Sequence, residues 1–215
     1  MGQYYYPTII NDNGTINYLV AHDYGNGLKL MEHSYIGNNF VNAVSSQIWK
    51  EPKGIAWIGD YSDYEMPEDE AELEPYEKKL PQPDFMNLYH TVFDDLNDDN
   101  PFGNQFKIEP EPIEMDLDFY DGFYIVNHTS KEYIDLGEYW RKYKRVWKSY
   151  DGTETEYAIH PLPLLTACGN GRGGGDYWDK YINYDKVGIW AFDMIEITDE
   201  EPESYTKVDI GFVEE

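Results

Sequence analysis

YYYPTIINDNGTINYLVA, residues Tyr4 to Ala21, carries the first decision about the fold. Two runs rich in β-branched and aromatic residues, Tyr4 to Ile10 and Thr15 to Ala21, flank Asn11-Asp12-Asn13-Gly14. An Asn-Gly step supplies the positive φ angles that a tight turn between antiparallel strands requires, so the stretch predicts a β-hairpin. Phe123 to Asn127 and Glu132 to Leu136 bracket His128-Thr129-Ser130-Lys131 and predict a second hairpin. Between the two, Asn38 or Asn39 heads a run in which Phe40, Val41, Val44 and Ile48 fall on one helical stripe, ending before Pro52. That helix, spanning about Asn39 to Trp49, should lie on one face of the sheet. Gly54 to Ile58 reads as a short buried strand and Val187 to Ile197 as another, with further strands at Thr155 to Ile159 and Thr206 to Val213. The fold class is α+β: one domain with a largely antiparallel sheet and one or two packed helices.

Composition agrees and narrows the partners. Twenty-one Tyr, nine Phe and six Trp in 215 residues suit strands better than a helical bundle. The formal charge of −26 disfavours direct binding of DNA, RNA or an anionic membrane, each of which needs a positive surface. The single cysteine, Cys168, leaves no disulfide within the chain. The opening MGQYYYPTII has neither a basic nor an apolar leader-like region, and no apolar run approaches the length of a membrane span. A cytoplasmic location is expected. Met1-Gly2 does not extend into a myristoylation signal, because Tyr6 stands where Ser or Thr is needed.

From Asp60 to Asp121 about twenty acids face three lysines, Lys78, Lys79 and Lys107, so this segment holds most of the net charge and reads as an acidic insertion. Within it Asp84 can cap a helix with Phe85, Leu88, Tyr89, Val92, Phe93 and Leu96 on one stripe, between proline-rich flanks. Asp60, Asp63, Glu65, Glu68, Asp69, Glu70, Glu72, Glu74, Asp94, Asp95, Asp98 and Asp99 are its candidates for meeting a basic partner. Asp94 to Asn100 lacks the glycine and terminal glutamate of a calcium loop, and no histidine spacing argues for a metal, so neither metal nor cofactor is assigned. Arg141, Lys142, Lys144, Arg145 and Lys148, interleaved with Tyr139, Trp140, Tyr143, Val146 and Trp147, form the basic cluster. Intramolecular pairing with the acidic segment is its expected role.

HPLPLLTACGNGRGGGDY, His160 to Tyr177, runs an apolar segment into five glycines. Gly169, Asn170, Gly171, Arg172, Gly173, Gly174, Gly175 and Asp176 are candidates for a ligand cradle, in which backbone N–H groups form an anion nest and Arg172 grips a phosphate or carboxylate. The same loop also reads as a tight structural turn. It is neither a P-loop nor a dinucleotide fingerprint. His22, His33 and His160 read as structural histidines, and Cys168 as an inert core thiol.

MGQYY at Met1 to Tyr5, GLKLMEHSYIGNNFV at Gly27 to Val41, YIVNHTSKEYIDL at Tyr124 to Leu136 and the GNGRGGGDY loop together carry a resemblance. The chain resembles an uncharacterised family of small phage and bacterial proteins that open with MGQYY and follow this loop with a VGxWAxD-like strand, here Val187 to Asp193. The resemblance implies a mobile-element or accessory context and transfers no catalytic residue.

Three functions follow as expectations. The first is a non-catalytic acidic protein that blocks a basic, nucleic-acid-binding partner by charge mimicry. The second is a binder of a nucleotide or other small anion at the glycine loop. The third is a small hydrolase or transferase using some of His33, Asp60, Arg172 and Asp176.

Overall fold

Residues 3–60, 62, 105–114, 121–168 and 183–212 are described by the structure, a computed structural model. In chain order the strands are β1 (Tyr5–Ile10), β2 (Ile16–Tyr18), β3 (Lys53–Gly59), β4 (Gln105–Lys107), β5 (Tyr124–Asn127), β6 (Glu132–Asp135), β7 (Arg145–Lys148), β8 (Glu154–Tyr157), β9 (Ala167–Cys168), β10 (Met194–Thr198) and β11 (Thr206–Lys207). The helices are α1 (Leu30–His33), α2 (Asn39–Gln47), α3 (Leu136–Tyr143) and α4 (Pro161–Leu165). The architecture is α+β. One mixed, mostly antiparallel sheet runs β11-β6-β5-β10-β3-β1-β2-β4, with β9 also paired to β3, while β7 and β8 form a separate ribbon.

Both expected hairpins form. β1 and β2 pair antiparallel with Ile10 opposite Ile16, and Gly14 takes φ 78° in the turn, a conformation side chains with a Cβ rarely adopt. β5 and β6 pair with Asn127 opposite Glu132. Every residue of β3 after Lys53 is buried, as its apolar sequence requires of a central strand. Along the β1–β3 register, Tyr5 and Ile9 fall on the same face as Ile55 and Trp57, and all four belong to the main core.

Helix α2 covers that face. Asn38 Oδ1 accepts the N–H of Phe40 at 2.9 Å, so the sequence's N-cap is the real one, and the Phe40 ring meets Trp57 edge-on at 6.3 Å. Phe40 to Ser45 are all buried, which a helix with one covered face cannot achieve. Its second cover is the stretch 105–114: Ile113 donates its N–H to the Asn42 carbonyl at 3.3 Å, and Tyr24 Oη donates to the Pro110 carbonyl at 2.8 Å. This part of the acidic region is built into the fold, since β4 extends the sheet edge parallel to β2 and Ile108 and Ile113 rest on the core.

Two strand expectations need correction. Val187 to Asp193 does not continue into β10; it turns twice, with Gly188 at φ 79° and Phe192 at φ 64°. Its backbone groups are taken by α4 and β3: Gly188 N–H donates to Leu164 O at 2.9 Å, Trp190 N–H to Leu165 O at 2.8 Å, and Phe192 N–H to Ile55 O at 2.8 Å. Strand propensity thus yields to tertiary pairing. Of the strand expected at Thr206 to Val213, the described residues up to Phe212 contribute only the two of β11, parallel to β6. The strand expected at Thr155 to Ile159 does form, as β8 (Glu154–Tyr157), and it pairs with β7 in the separate ribbon.

Gly59 shows how closely β1 and β3 approach. A Cβ placed there would lie 2.8 Å from the Tyr5 ring. Gly59→Ala should therefore lower stability by about 1–3 kcal/mol, the usual cost of overpacking a core, measured by urea unfolding.

Candidate functional site

Of the acidic candidates, Asp60 lies among the described residues, and its role is local. Its Oδ1 accepts the Tyr4 N–H at 2.9 Å just beyond the end of β3. Asp63, Glu65, Glu68, Asp69, Glu70, Glu72, Glu74, Asp94, Asp95, Asp98 and Asp99 lie outside the described residues, as do the helix expected after Asp84 and the whole candidate cradle from Gly169 to Asp176. Cys168, immediately before that cradle, is fully buried where β9 pairs with Ile58.

Among the described residues, four of the five members of the basic cluster pair within the chain, Arg145 being the exception, and only Arg141 pairs with the acidic segment expected to hold them all. Arg141 contacts Asp121, the last residue of that segment; Lys142 contacts Asp209, Lys144 contacts Glu156 at 2.9 Å and Lys148 contacts Glu154 at 3.1 Å. These pairs are exposed and each adds little stability. What they change is the surface charge.

His33 and His160 are buried on neighbouring segments. The Tyr35–Ile159 bridge joins those segments, and His160 N–H donates to the Ser34 carbonyl at 3.0 Å. His33 Nδ1 lies 3.0 Å from the Gly27 carbonyl, and its Nε2 accepts the Trp57 indole N–H at 3.1 Å. A carbonyl can only accept, so the ring proton sits on Nδ1 and the imidazole is neutral. His160 Nδ1 accepts the Leu162 N–H at 3.2 Å and so caps α4; its Nε2 is buried without a partner. Burial holds the His33 pKa down at about 4 and that of His160 at about 3. Neither ring is placed for chemistry.

His128 instead sits in a network of polar side chains. His128 Nε2 lies 2.6 Å from Glu196 Oε2, and Nδ1 lies 2.9 Å from Tyr205 Oη, which also accepts from Lys131 Nζ at 2.9 Å. With a neutral ring, Lys131 donates to Tyr205, Tyr205 donates to Nδ1, and Nε2–H donates to Glu196. The bonds then run in one direction from cation to carboxylate. The Lys131 ammonium also sits 4.8 Å from the Tyr205 ring centre. Lys131 at φ 61° and Ser204, just before Tyr205, at φ 69° both occupy left-handed backbone that non-glycine residues rarely adopt. Beneath the network, buried Asn127 accepts the Thr129 and Ser130 N–H groups and donates to Asp193 at 2.8 Å.

Sequence reading did not single out this network. Its members lie 68 and 77 positions from His128, and the only local sign was a histidine opening a hairpin turn. Among the described residues, no group of three or more His, Cys, Asp or Glu could hold a metal ion, and no helix is long and apolar enough to cross a membrane.

An aromatic cleft of about 350 Å³ opens elsewhere, between Tyr35 and the β7–β8 ribbon, lined by Trp147, Thr155 and Tyr157. No protein family matches the chain, and neither a curated protein nor a solved structure matches it.

Two outcomes are expected. Because His33 and His160 titrate near 6.5 when unfolded and far lower when folded, the unfolded chain takes up their protons first. Their contribution is complete above about pH 6.5 and is lost as pH falls towards 4 and then 3, in total several kcal/mol. Urea midpoints measured from pH 7 to pH 5 should fall, and His160→Asn, which keeps an N-cap without a titrating ring, should flatten the slope by about half. Separately, Tyr205→Phe should cost about 1–2 kcal/mol, the value of the lost hydrogen bonds. No change in its urea midpoint would mean that the network does not tie the C-terminal segment to the hairpin.

Proposed function

We propose that the chain is a non-catalytic acidic interaction protein that occupies a basic, nucleic-acid-binding surface of a partner in place of phosphates. The observation that carries this reading is how the chain uses its cations. Lys50, Lys53, Lys107, Arg141, Lys142, Lys144, Lys148 and Lys207 each sit on a carboxylate of the same chain. Of the five basic residues that by sequence could have formed a nucleic-acid patch, all but Arg145 are therefore spent internally. The acidic excess behind the charge of −26 has no equivalent offset. A surface of that sign attracts cationic grooves and repels nucleic acid.

The test is capture of basic proteins from a lysate on the immobilised chain, eluted with a salt gradient. Binding by ion release should weaken steeply with salt, and duplex DNA should displace the captured protein. Changing Glu68, Asp69, Glu70 and Glu72 together to Gln or Asn should weaken capture at least tenfold without altering thermal unfolding. Capture that resists both salt and DNA would remove the mimicry reading.

A further inference from the structure

The ribbon formed by β7 and β8 has two unlike faces. Residues directly opposite each other in an antiparallel pair share a face, and the next pair along points the other way. Val146 opposite Glu156 and Lys148 opposite Glu154 therefore share one side, where Lys144 also pairs with Glu156. That side is neutralised. Arg145 opposite Tyr157 and Trp147 opposite Thr155 form the other side, on which Trp147, Thr155 and Tyr157 line the cleft with Tyr35 and Arg145 stands at its edge, one pair further along the strand.

On this inner side the usual satisfactions are missing. Trp147 is 58 % exposed although it has a large apolar ring to bury. Arg145, on its face, has no carboxylate or hydrogen-bond partner among the described residues, while Arg141, Lys142, Lys144 and Lys148 around it are all paired. Tyr35 and Tyr157 meet edge to face at 6.0 Å and form the wall against the body of the protein. The ribbon itself is pinned. Gly152 at φ 88° and the Ser149 N–H to Thr153 carbonyl bond of 2.9 Å close its turn, and the Tyr35–Ile159 bridge anchors its base.

We propose that this cleft binds a planar aromatic acid, with the ring against Trp147 and Tyr157 and the acidic group on Arg145. Nucleoside monophosphates are the class of suitable size. The volume of about 350 Å³ lies at the lower end of small-molecule sites, enough for one base and sugar. Arg145 and Trp147 are two residues apart on one strand face, about 6–7 Å, which suits a ring joined to its acid by a short linker. Stacking tolerates any flat ring, whereas the guanidinium demands the charge and can hold it with two parallel hydrogen bonds. The site goes beyond the partner-binding reading and does not depend on it.

AMP is the probe, titrated into the full chain and followed by calorimetry, with adenosine and inorganic phosphate as the arms that lack charge and ring. AMP should bind saturably at one site, with each fragment about tenfold weaker or worse. Arg145→Gln should weaken AMP about tenfold and leave adenosine unchanged, while Trp147→Ala should weaken both. Both side chains are exposed, so thermal unfolding should not move. Absence of saturable AMP binding at millimolar concentration overturns the proposal, as does either variant titrating like the parent. So does a self-association in sedimentation that Trp147→Ala abolishes, which would make a second copy of the chain the occupant.

Discussion

Strand β3 must satisfy its backbone with no help from water, and that requirement organises the rest of the molecule. From Gly54 to Gly59 it is buried, so each unpaired N–H or carbonyl would cost about as much as a lost hydrogen bond. One edge is covered along its length by β1. The other is shared: β10 pairs at Lys53 and Gly54, Phe192 and Asp193 bond to Ile55, and Thr166 and β9 take Trp57 and Ile58. Two distant stretches, 161–168 and 188–195, are thereby brought side by side. The same arrangement explains why the apolar run from Val187 turns instead of extending.

Trp57 carries the constraint from the sheet into the core. Its backbone N–H is held by Thr166 at 2.7 Å, its indole N–H by His33, and its ring by Phe40. Sheet, helix α2 and the segment around α1 thus share one residue. His33 is neutral because of this bond and its burial, which links the core's acid sensitivity to its packing. The chemically ordered network around His128 is built differently, on a hairpin turn and the segment after β10. There the backbone is held in left-handed conformations at Lys131 and Ser204 rather than by a packed core.

Charge is distributed on a separate principle. Lysines and arginines outside the core lie mostly on nearby carboxylates, and these pairs contribute little to stability. Their consequence is selective: they remove positive surface and leave acidic surface in excess. Arg145 departs from the pattern, and it does so beside exposed Trp147 and a cleft, where we place the proposed aromatic acid.

Local sequence determined what depends on near neighbours. The Asn13-Gly14 turn, the Asn38 cap, the stripe of α2 and the closed turn at Asp151-Gly152 follow from backbone freedom, side-chain acceptors and spacing, all within a few residues. The burial of Gly54 to Ile58 was legible because no polar residue interrupts it. Tertiary structure decided whatever joins residues far apart. The sequence could not show that β10 begins only at Met194, that 105–114 covers α2, or that Arg141 and Lys142 pair with Asp121 and Asp209. Nor could it assemble Lys131, Tyr205, His128 and Glu196, or bring Tyr35 against Tyr157. Each of these depends on which buried backbone groups and charges meet across the fold, and that is fixed only when the whole chain has closed around β3.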